Sequence, residues 1–356
     1  MKVAVWGTGN VGRPAIRAVL DHAELTLTGV IVSSEAKDGR DAGELAGVAP
    51  TGVIATRDAA AVLAGKPDVV VYTASADIRP DEAMADLLNC LEAGCDVVST
   101  SFYDFLHPAL APADVLEKVN AACERGNASL LVSGIDPGWA MDALPLFASG
   151  VVAGIEQIRC QEIFNYALYD APDIVRYVIG FGQSMDELPL MLHSEVLLKI
   201  WEPMVRLVAK GLNVELDEIT TMVERRPLEK TVEVAGMGSF EKGGQGAFRF
   251  EVMGMKNGRP LIVAEHITRI DADCAPDWPQ PLTEGGCHRV LVKGNPDLDI
   301  TVHATDHVDS GAAAGGNATA ANRLVNAIPA VCKAPAGVLS ALDVAIVPGT
   351  SQLKLS

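Results

Sequence analysis

Three groups of residues in this chain have the types and the spacing to do chemistry. The first is Gly7-Thr8-Gly9-Asn10-Val11-Gly12, a G-x-G-x-x-G run. Alone such a run is weak evidence, but this one directly follows a strand pattern, Met1–Trp6. It opens a helical pattern with Val11, Ala15, Ile16, Val19 and Leu20 on one face, the context a dinucleotide-binding loop requires. Gly7 makes the tight turn, Gly9 lets the main chain approach a pyrophosphate, and Gly12 lets the helix lie close on the strand. The helix's unpaired N–H groups then face the phosphates. A glycine-rich turn without a ligand is the bland alternative, and the strand–loop–helix order weighs against it. The second group is Thr73-Ala74-Ser75, which ends the apolar run Asp68–Thr73 and belongs along the cofactor's phosphate–ribose side. The third is Tyr103-Asp104, a phenol and a carboxylate just past the strand pattern Cys95–Ser101, where open α/β sheets hold their ligands. Either group can manage a proton, and packing is the bland alternative.

The elements around these residues alternate strand and helix: Leu25–Val32, Asp68–Thr73, helix Asp81–Ala93, Cys95–Ser101, helix Pro112–Arg125, Ser129–Val132. That alternation predicts a Rossmann-type, doubly wound parallel sheet, an α/β domain over residues 1–146. About twenty residues past the loop an NAD site places an acid for the ribose 2′-hydroxyl. Val32 or Ser33 stands there instead, and Ser33, Ser34, Lys37 and Arg40 offer hydroxyls and positive charge that suit a 2′-phosphate. NADP is therefore expected, with NAD still open and a solvated loop as the bland reading.

After Leu146 the pattern changes. Gln157–Tyr166 alternates as a strand, Met185–Val208 reads as a helix with a break near Pro203, and Lys230–Ala235 is a strand candidate. Gly246–Met255 and Leu261–Ile270 flank the hairpin signal Asn257-Gly258, and a second hairpin surrounds Gly294–Asp297. Residues 147–305 are thus expected to form an α+β domain on an antiparallel sheet, whose open face needs apolar cover. A homodimer supplies that cover. Residues 306–356, with a helix at Asn317–Ile328 bounded by Pro329, should return to the first domain and leave the substrate cleft between the lobes. Asp136 and Trp139, in the turn-rich Gly134–Trp139, are pocket candidates, as are Asn165, Tyr169 and His266; each also has an ordinary structural reading.

Composition narrows the class. A net charge of −18 argues against nucleic acid or an anionic membrane as partner. No apolar stretch is long enough to span a bilayer, and no signal peptide pattern opens the chain. Seven scattered cysteines fit reduced thiols, so a cytoplasmic location is expected. His303 and His307 lack the helical context and intervening Glu of a zinc motif, so no metal is expected. Neither a G-x-S-x-G elbow nor a Walker loop is present. Hydride transfer with a small-molecule substrate remains.

The segments V-A-V-W-G-T-G-N-V-G near the start, G-R-D-A-G-E-L-A-G at Gly39–Gly47, I-D-P-G-W at Ile135–Trp139 and A-T-A-A-N-R-L-V-N-A-I-P near the end together resemble one family. It is the 2,4-diaminopentanoate dehydrogenase and native amine dehydrogenase group, whose first lobe is related to dihydrodipicolinate reductase. The His-His-x-x-Lys and P-S-G-T segments of the reductases themselves are absent. The resemblance implies a Rossmann lobe, an α+β dimerisation lobe, and reversible NAD(P)-dependent deamination of an amine or reductive amination of a ketone or aldehyde. It also implies that Trp139 is an aromatic of the substrate pocket. The family carries a Glu-Glu pair for proton transfer, and counting back from Pro108 puts Tyr103 and Asp104 there. Asp104 then suits an amine and Tyr103 a carbonyl or alcohol. That leaves two alternatives: a carbonyl or imine reductase that incorporates no ammonia, and a cofactor-binding sensor.

Overall fold

The computed structural model describes residues 1–169, 172–283, 285–311, 313–344 and 347–352. Packing divides the chain into two units, Met1–Trp139 with Asn317–Ser356, and Ala140–Gly316.

The first unit opens with β1 (Lys2–Trp6), α1 (Gly12–Asp21) and β2 (Thr26–Ile31), then α2 (Ala42–Ala46), β3 (Ala55–Thr56) and α3 (Ala59–Ala64). It continues through β4 (Val69–Tyr72), α4 (Pro80–Glu92), β5 (Asp96–Ser99), α5 (Ala113–Gly126) and β6 (Ser129–Val132). The strands are parallel in the order β3-β2-β1-β4-β5-β6, extended beside β6 by a late strand, Gly337–Leu339. Both faces are covered, which is why β1 and β4 read as unbroken apolar runs. Val3, Val5, Val69 and Val71 enter one core with Ile16 and Val19 of α1. Ala4, Trp6, Val70 and Tyr72 enter the other with Leu87 and Leu91 of α4. The segment G-R-D-A-G has a local structural use. Asp41 caps α2 by accepting the Gly43 N–H at 2.7 Å, and the Gly52 N–H, also at 2.7 Å, ties the following loop to it.

The second unit holds α6 (Ala143–Ser149), β7 (Ala153–Asn165), α7 (Ser194–Gly211) and β8 (Glu218–Pro227). A small hairpin of β9 (Val232–Val234) and β10 (Gly238–Phe240) follows, then β11 (Gln245–Lys256), β12 (Arg259–Arg269), β13 (Gly286–Asn295) and β14 (Leu298–Val302). Asn257 and Gly258 take φ of +51° and +72° between β11 and β12, the hairpin geometry their pairing predicts.

Four expectations need correction. The second sheet, ordered β14-β13-β7-β12-β11-β8, is mixed rather than antiparallel, because β7 pairs parallel to β12. A parallel pair cannot be closed by a hairpin, and the chain between them supplies the long crossover that includes α7. Secondly, α7 runs through Pro203 without the expected break. Its apolar stripe of Leu197, Trp201, Met204, Val205 and Val208 is buried against the sheet, and that packing offsets the lost main-chain hydrogen bond. Thirdly, α8 (Ala314–Val331) likewise continues past Pro329. Finally, the unit boundaries fall at 139/140 and 316/317 rather than at 146/147 and 305/306. The reason at the first boundary is that α6 packs on β7 and β13. In the returning segment Leu324, Val325, Ile328 and Val331 join the core of α1 and β1, and the late strand, β15 (Gly337–Leu339), pairs with β6. Residues 345–346 and 353–356 of that segment lie outside the described residues.

Candidate active site

All strands of the first sheet point the same way, so the loops after β1, β2, β4, β5 and β6 share one edge. The order reverses between β1 and β4, the switch point at which such sheets hold ligands. Gly7 follows β1 with φ +103°, and a Cβ there would sit 2.9 Å from both Ala74 N and Thr73 Oγ1. A Cβ on Gly12 would lie 2.0 Å from the Gly7 carbonyl oxygen, so these two glycines are required by close packing. Gly9 differs: its missing Cβ points into open space. No side chain caps the first turn of α1. An open main-chain surface at an uncapped helix start fits a dinucleotide pyrophosphate.

Thr73 braces the loop rather than facing outward. Its hydroxyl lies 3.1 Å from the Trp6 carbonyl and 3.2 Å from that of Gly7, donating to them. Ala74 is held in turn by Ser101, whose hydroxyl donates to its carbonyl at 2.6 Å, while Ser99 donates to the Tyr72 carbonyl at 2.9 Å. Ser99 and Ser101 thus stitch the ends of β4 and β5 together. Sequence reasoning passed over them, although two serines at alternate positions closing a buried strand are a visible signal. Ser75 is exposed beyond them.

Past β2, Ser33 and Ser34 are exposed, as is Arg40, which lies 3.8 Å from Glu44. Lys37 reaches back to donate to the Thr8 carbonyl at 3.0 Å and so anchors the β2 loop to the glycine loop. Within the glycine loop Thr8 is buried, Val11 half-buried and Asn10 exposed.

Tyr103 and Asp104 occupy a short 3-10 turn after β5 and are both half-buried. Phe102 enters that turn at φ +66°, its ring packed 5.4 Å from Tyr72. The left-handed residue reverses the chain, so the two polar side chains begin a new turn at the ligand edge. After β6, Gly134–Trp139 is a closed reversal in which the Trp139 N–H donates to Gly134 at 3.0 Å. Gly138, at φ +137°, would bring a Cβ within 2.4 Å of Gly134 N. Asp136 and Trp139 are each half-buried.

The pocket candidates of the second unit separate into two places. Asn165 accepts from the Ala167 N–H at 3.0 Å and lines a cavity of about 490 Å³ with Phe164, Leu168, Arg269, Gln280 and Thr283. Arg269 is buried and donates to the carbonyls of Cys274, Ala275 and Pro279, which fixes the loop forming one wall. His266 lies elsewhere, between the rings of Trp201 and Phe250, each 4.6 Å away. Its Nδ1 is 3.4 Å from Glu162, whose other oxygen is 3.5 Å from His288 Nε2. The Tyr166 hydroxyl donates to Glu162 at 3.3 Å, and Tyr169 stacks 5.0 Å from Tyr166. Burial pushes the Glu162 carboxyl up, but His266 and then His288 outweigh it and hold the group well below the usual carboxylate range. The Tyr169 phenol is raised by burial and by the charge on Glu162. Glu162 and His288 escaped the sequence reading. The signal was an acid in phase with Ile158, Cys160 and Phe164, on the apolar face of an alternating strand.

A parallel sheet with a glycine loop at its switch point, together with a separate mixed-sheet lobe, is an architecture of two-lobe dinucleotide-dependent oxidoreductases, and the comparisons place the chain in that class. Residues 1–103 match the model of the dihydrodipicolinate reductase N-terminus, and residues 139–352 that of the 2,4-diaminopentanoate dehydrogenase C-terminal domain. The chain belongs to this amine dehydrogenase family. It is 49% identical over 355 residues to an amine dehydrogenase of Streptomyces virginiae, covering 99% of this chain and 98% of that one. Its fold matches an amine dehydrogenase structure from Mycobacterium smegmatis with a TM-score of 0.74 at 20% identity, over 96% of this chain and 95% of the other. A probable dehydrogenase from Thermotoga maritima matches with a TM-score of 0.57 at 13% identity, over 97% and 92%.

Proposed function

We propose that this chain catalyses reversible, NADP-preferring oxidative deamination of a small amine, run in the other direction as reductive amination of a ketone or aldehyde. The full-length likeness to the Streptomyces amine dehydrogenase carries the reaction class. The open face of Gly9 above an uncapped helix supports the dinucleotide. The bound nicotinamide supplies or takes up the hydride. The protein's part is to orient the substrate and manage the proton, and Asp104 is the base assigned to the amine. The NADP preference is supported by the sequence, in which Val32 or Ser33 falls where an NAD site carries an acid, and by the exposure of Ser33 and Ser34 after β2.

A second reading, reduction of a carbonyl or imine without ammonia, is favoured by Tyr103, a phenol beside Asp104 that can donate to a carbonyl oxygen. A panel of amines, ketones with and without ammonium, and alcohols, followed at the nicotinamide absorbance, separates the readings. Ammonium-dependent oxidation of NADPH by a ketone supports amination. Equal rates without ammonium support the second reading. Tight cofactor binding with no turnover anywhere on the panel supports a cofactor-binding sensor instead.

A further inference from the structure

Arg269 brings a positive charge to the wall of the second unit's cavity and uses only part of its guanidinium to hold the fold. It is the last residue of β12 and is 2% exposed. Nε and Nη2 are engaged by the carbonyls of Cys274, Ala275 and Pro279. Nη1 makes no hydrogen bond with any described residue, and it is not sealed from solvent, so it opens on the cavity that Arg269 lines. The guanidinium forms no ion pair with a described carboxylate, and burial lowers its pKa. A buried charge without a counter-charge is costly, and three carbonyl dipoles offset that cost only in part. Other donors stand in the same wall. Asn165 uses its amide oxygen on the Ala167 N–H and leaves its Nδ2 without a described partner. The Gln280 amide, also in the wall, has no described partner either. No carboxylate stands among the described residues that line the cavity. Much of the remaining wall is apolar, with Phe164 beside Leu168 and Leu282, which are 46% and 81% exposed. A volume of about 490 Å³, a positive charge with free N–H groups, and uncovered apolar surface together suit a ligand with an anionic head and an apolar body.

We propose that this cavity binds a small monocarboxylate, whose oxygens accept from Arg269 Nη1 and Asn165 Nδ2 and whose hydrocarbon body covers Leu168 and Leu282. One nitrogen is available rather than the whole guanidinium fork, so a single carboxylate is matched and a second would find no cation among the described residues. The carboxylate can belong to the substrate or to a separate effector. The site itself stands apart from the amination reading; only its assignment to the substrate rests on that reading.

Two measurements on the full chain test it. In the first, thermal unfolding is titrated with sodium hexanoate, with hexanamide and with sodium chloride, the two salts at equal ionic strength. Hexanoate should raise the midpoint above both controls, since hexanamide has the body without the charge and chloride the charge without the body. Asn165→Asp keeps an oxygen to accept from Ala167 and replaces the free donor by a negative charge, and Gln280→Glu adds a charge in the same wall. Each should weaken hexanoate about tenfold or more, the scale of a lost hydrogen bond to a charged group. If Asn165→Asp does not fold, Gln280→Glu carries the comparison. In the second, the hexanoate shift is repeated with NADPH and an excess of a ketone that the wild type aminates. Loss of the shift assigns the carboxylate to the substrate, and a shift that persists assigns it to an effector. Equal midpoints in hexanoate and hexanamide overturn the site, as does undiminished hexanoate binding in the folded variants. Failure of the wild type to aminate any ketone overturns the functional reading instead, and the first measurement still decides the site.

Discussion

At the scale of single residues, the glycine loop separates packing from binding. Gly7 and Gly12 touch neighbouring atoms, whereas a side chain at Gly9 meets only open space. Gly9→Val should therefore fold normally and lose both NADP and NAD, measured by fluorescence titration; unchanged affinity would remove the basis for the cofactor site. Ser33→Asp should weaken NADPH through repulsion of the 2′-phosphate and spare NADH. If both cofactors respond alike, Ser33 does not line the 2′ position. At the proton relay, Asp104→Asn should lower turnover on amines, by up to the roughly 10²- to 10⁴-fold that a positioned acid–base group contributes, with cofactor affinity intact. Tyr103→Phe should be the damaging change if the substrate is an alcohol or ketone. Full activity in both variants places the relay elsewhere. Glu162 adds a pH dependence whose sign is fixed. Its folded value lies below that of a free carboxyl, about 4.3, so its contribution is complete above that value and lost as pH falls through the folded one. The stability gap between wild type and Glu162→Gln should narrow from about pH 5 towards pH 3 in denaturant titrations.

At the scale of elements, what was readable was local. The strand–loop–helix of β1 and α1 lies in twenty consecutive residues, and the Asn257-Gly258 turn announces its hairpin by backbone preference alone. The parallel pairing of β7 with β12 was not readable, because nothing in either strand records a partner just over a hundred residues away. Pro203 and Pro329 were misjudged for a related reason: propensity acts within a turn, while the packing that overrides it comes from other elements. The same holds for the candidate site. The glycines of the loop could be found by spacing, whereas Glu162 and His288 meet only once β7 and β13 pair. Thr73 joins elements in this way too. Thr73→Val keeps the shape but deletes the donor to the Trp6 and Gly7 carbonyls, and should cost about 1–3 kcal/mol by denaturant titration. A loss below a few tenths would show that the glycine loop holds itself.

At the scale of the whole molecule, a homodimer through the second unit remains the expected assembly. Sedimentation at micromolar concentration should show twice the chain mass; a clean monomer of 37.4 kDa contradicts it. Among the described residues no helix is long and apolar enough to cross a membrane. The chain path has one more consequence. The first unit takes its residues from both sides of the second, and α8 and β15 complete a core begun by β1 and α1 more than three hundred residues earlier. During synthesis on the ribosome, that core must therefore wait for the entire second lobe to emerge, with Val3, Val5 and Ile16 lacking their last neighbours. The inserted lobe has no such delay and can close first, so protease pulses applied to stalled nascent chains should find residues 140–316 protected before residues 1–139.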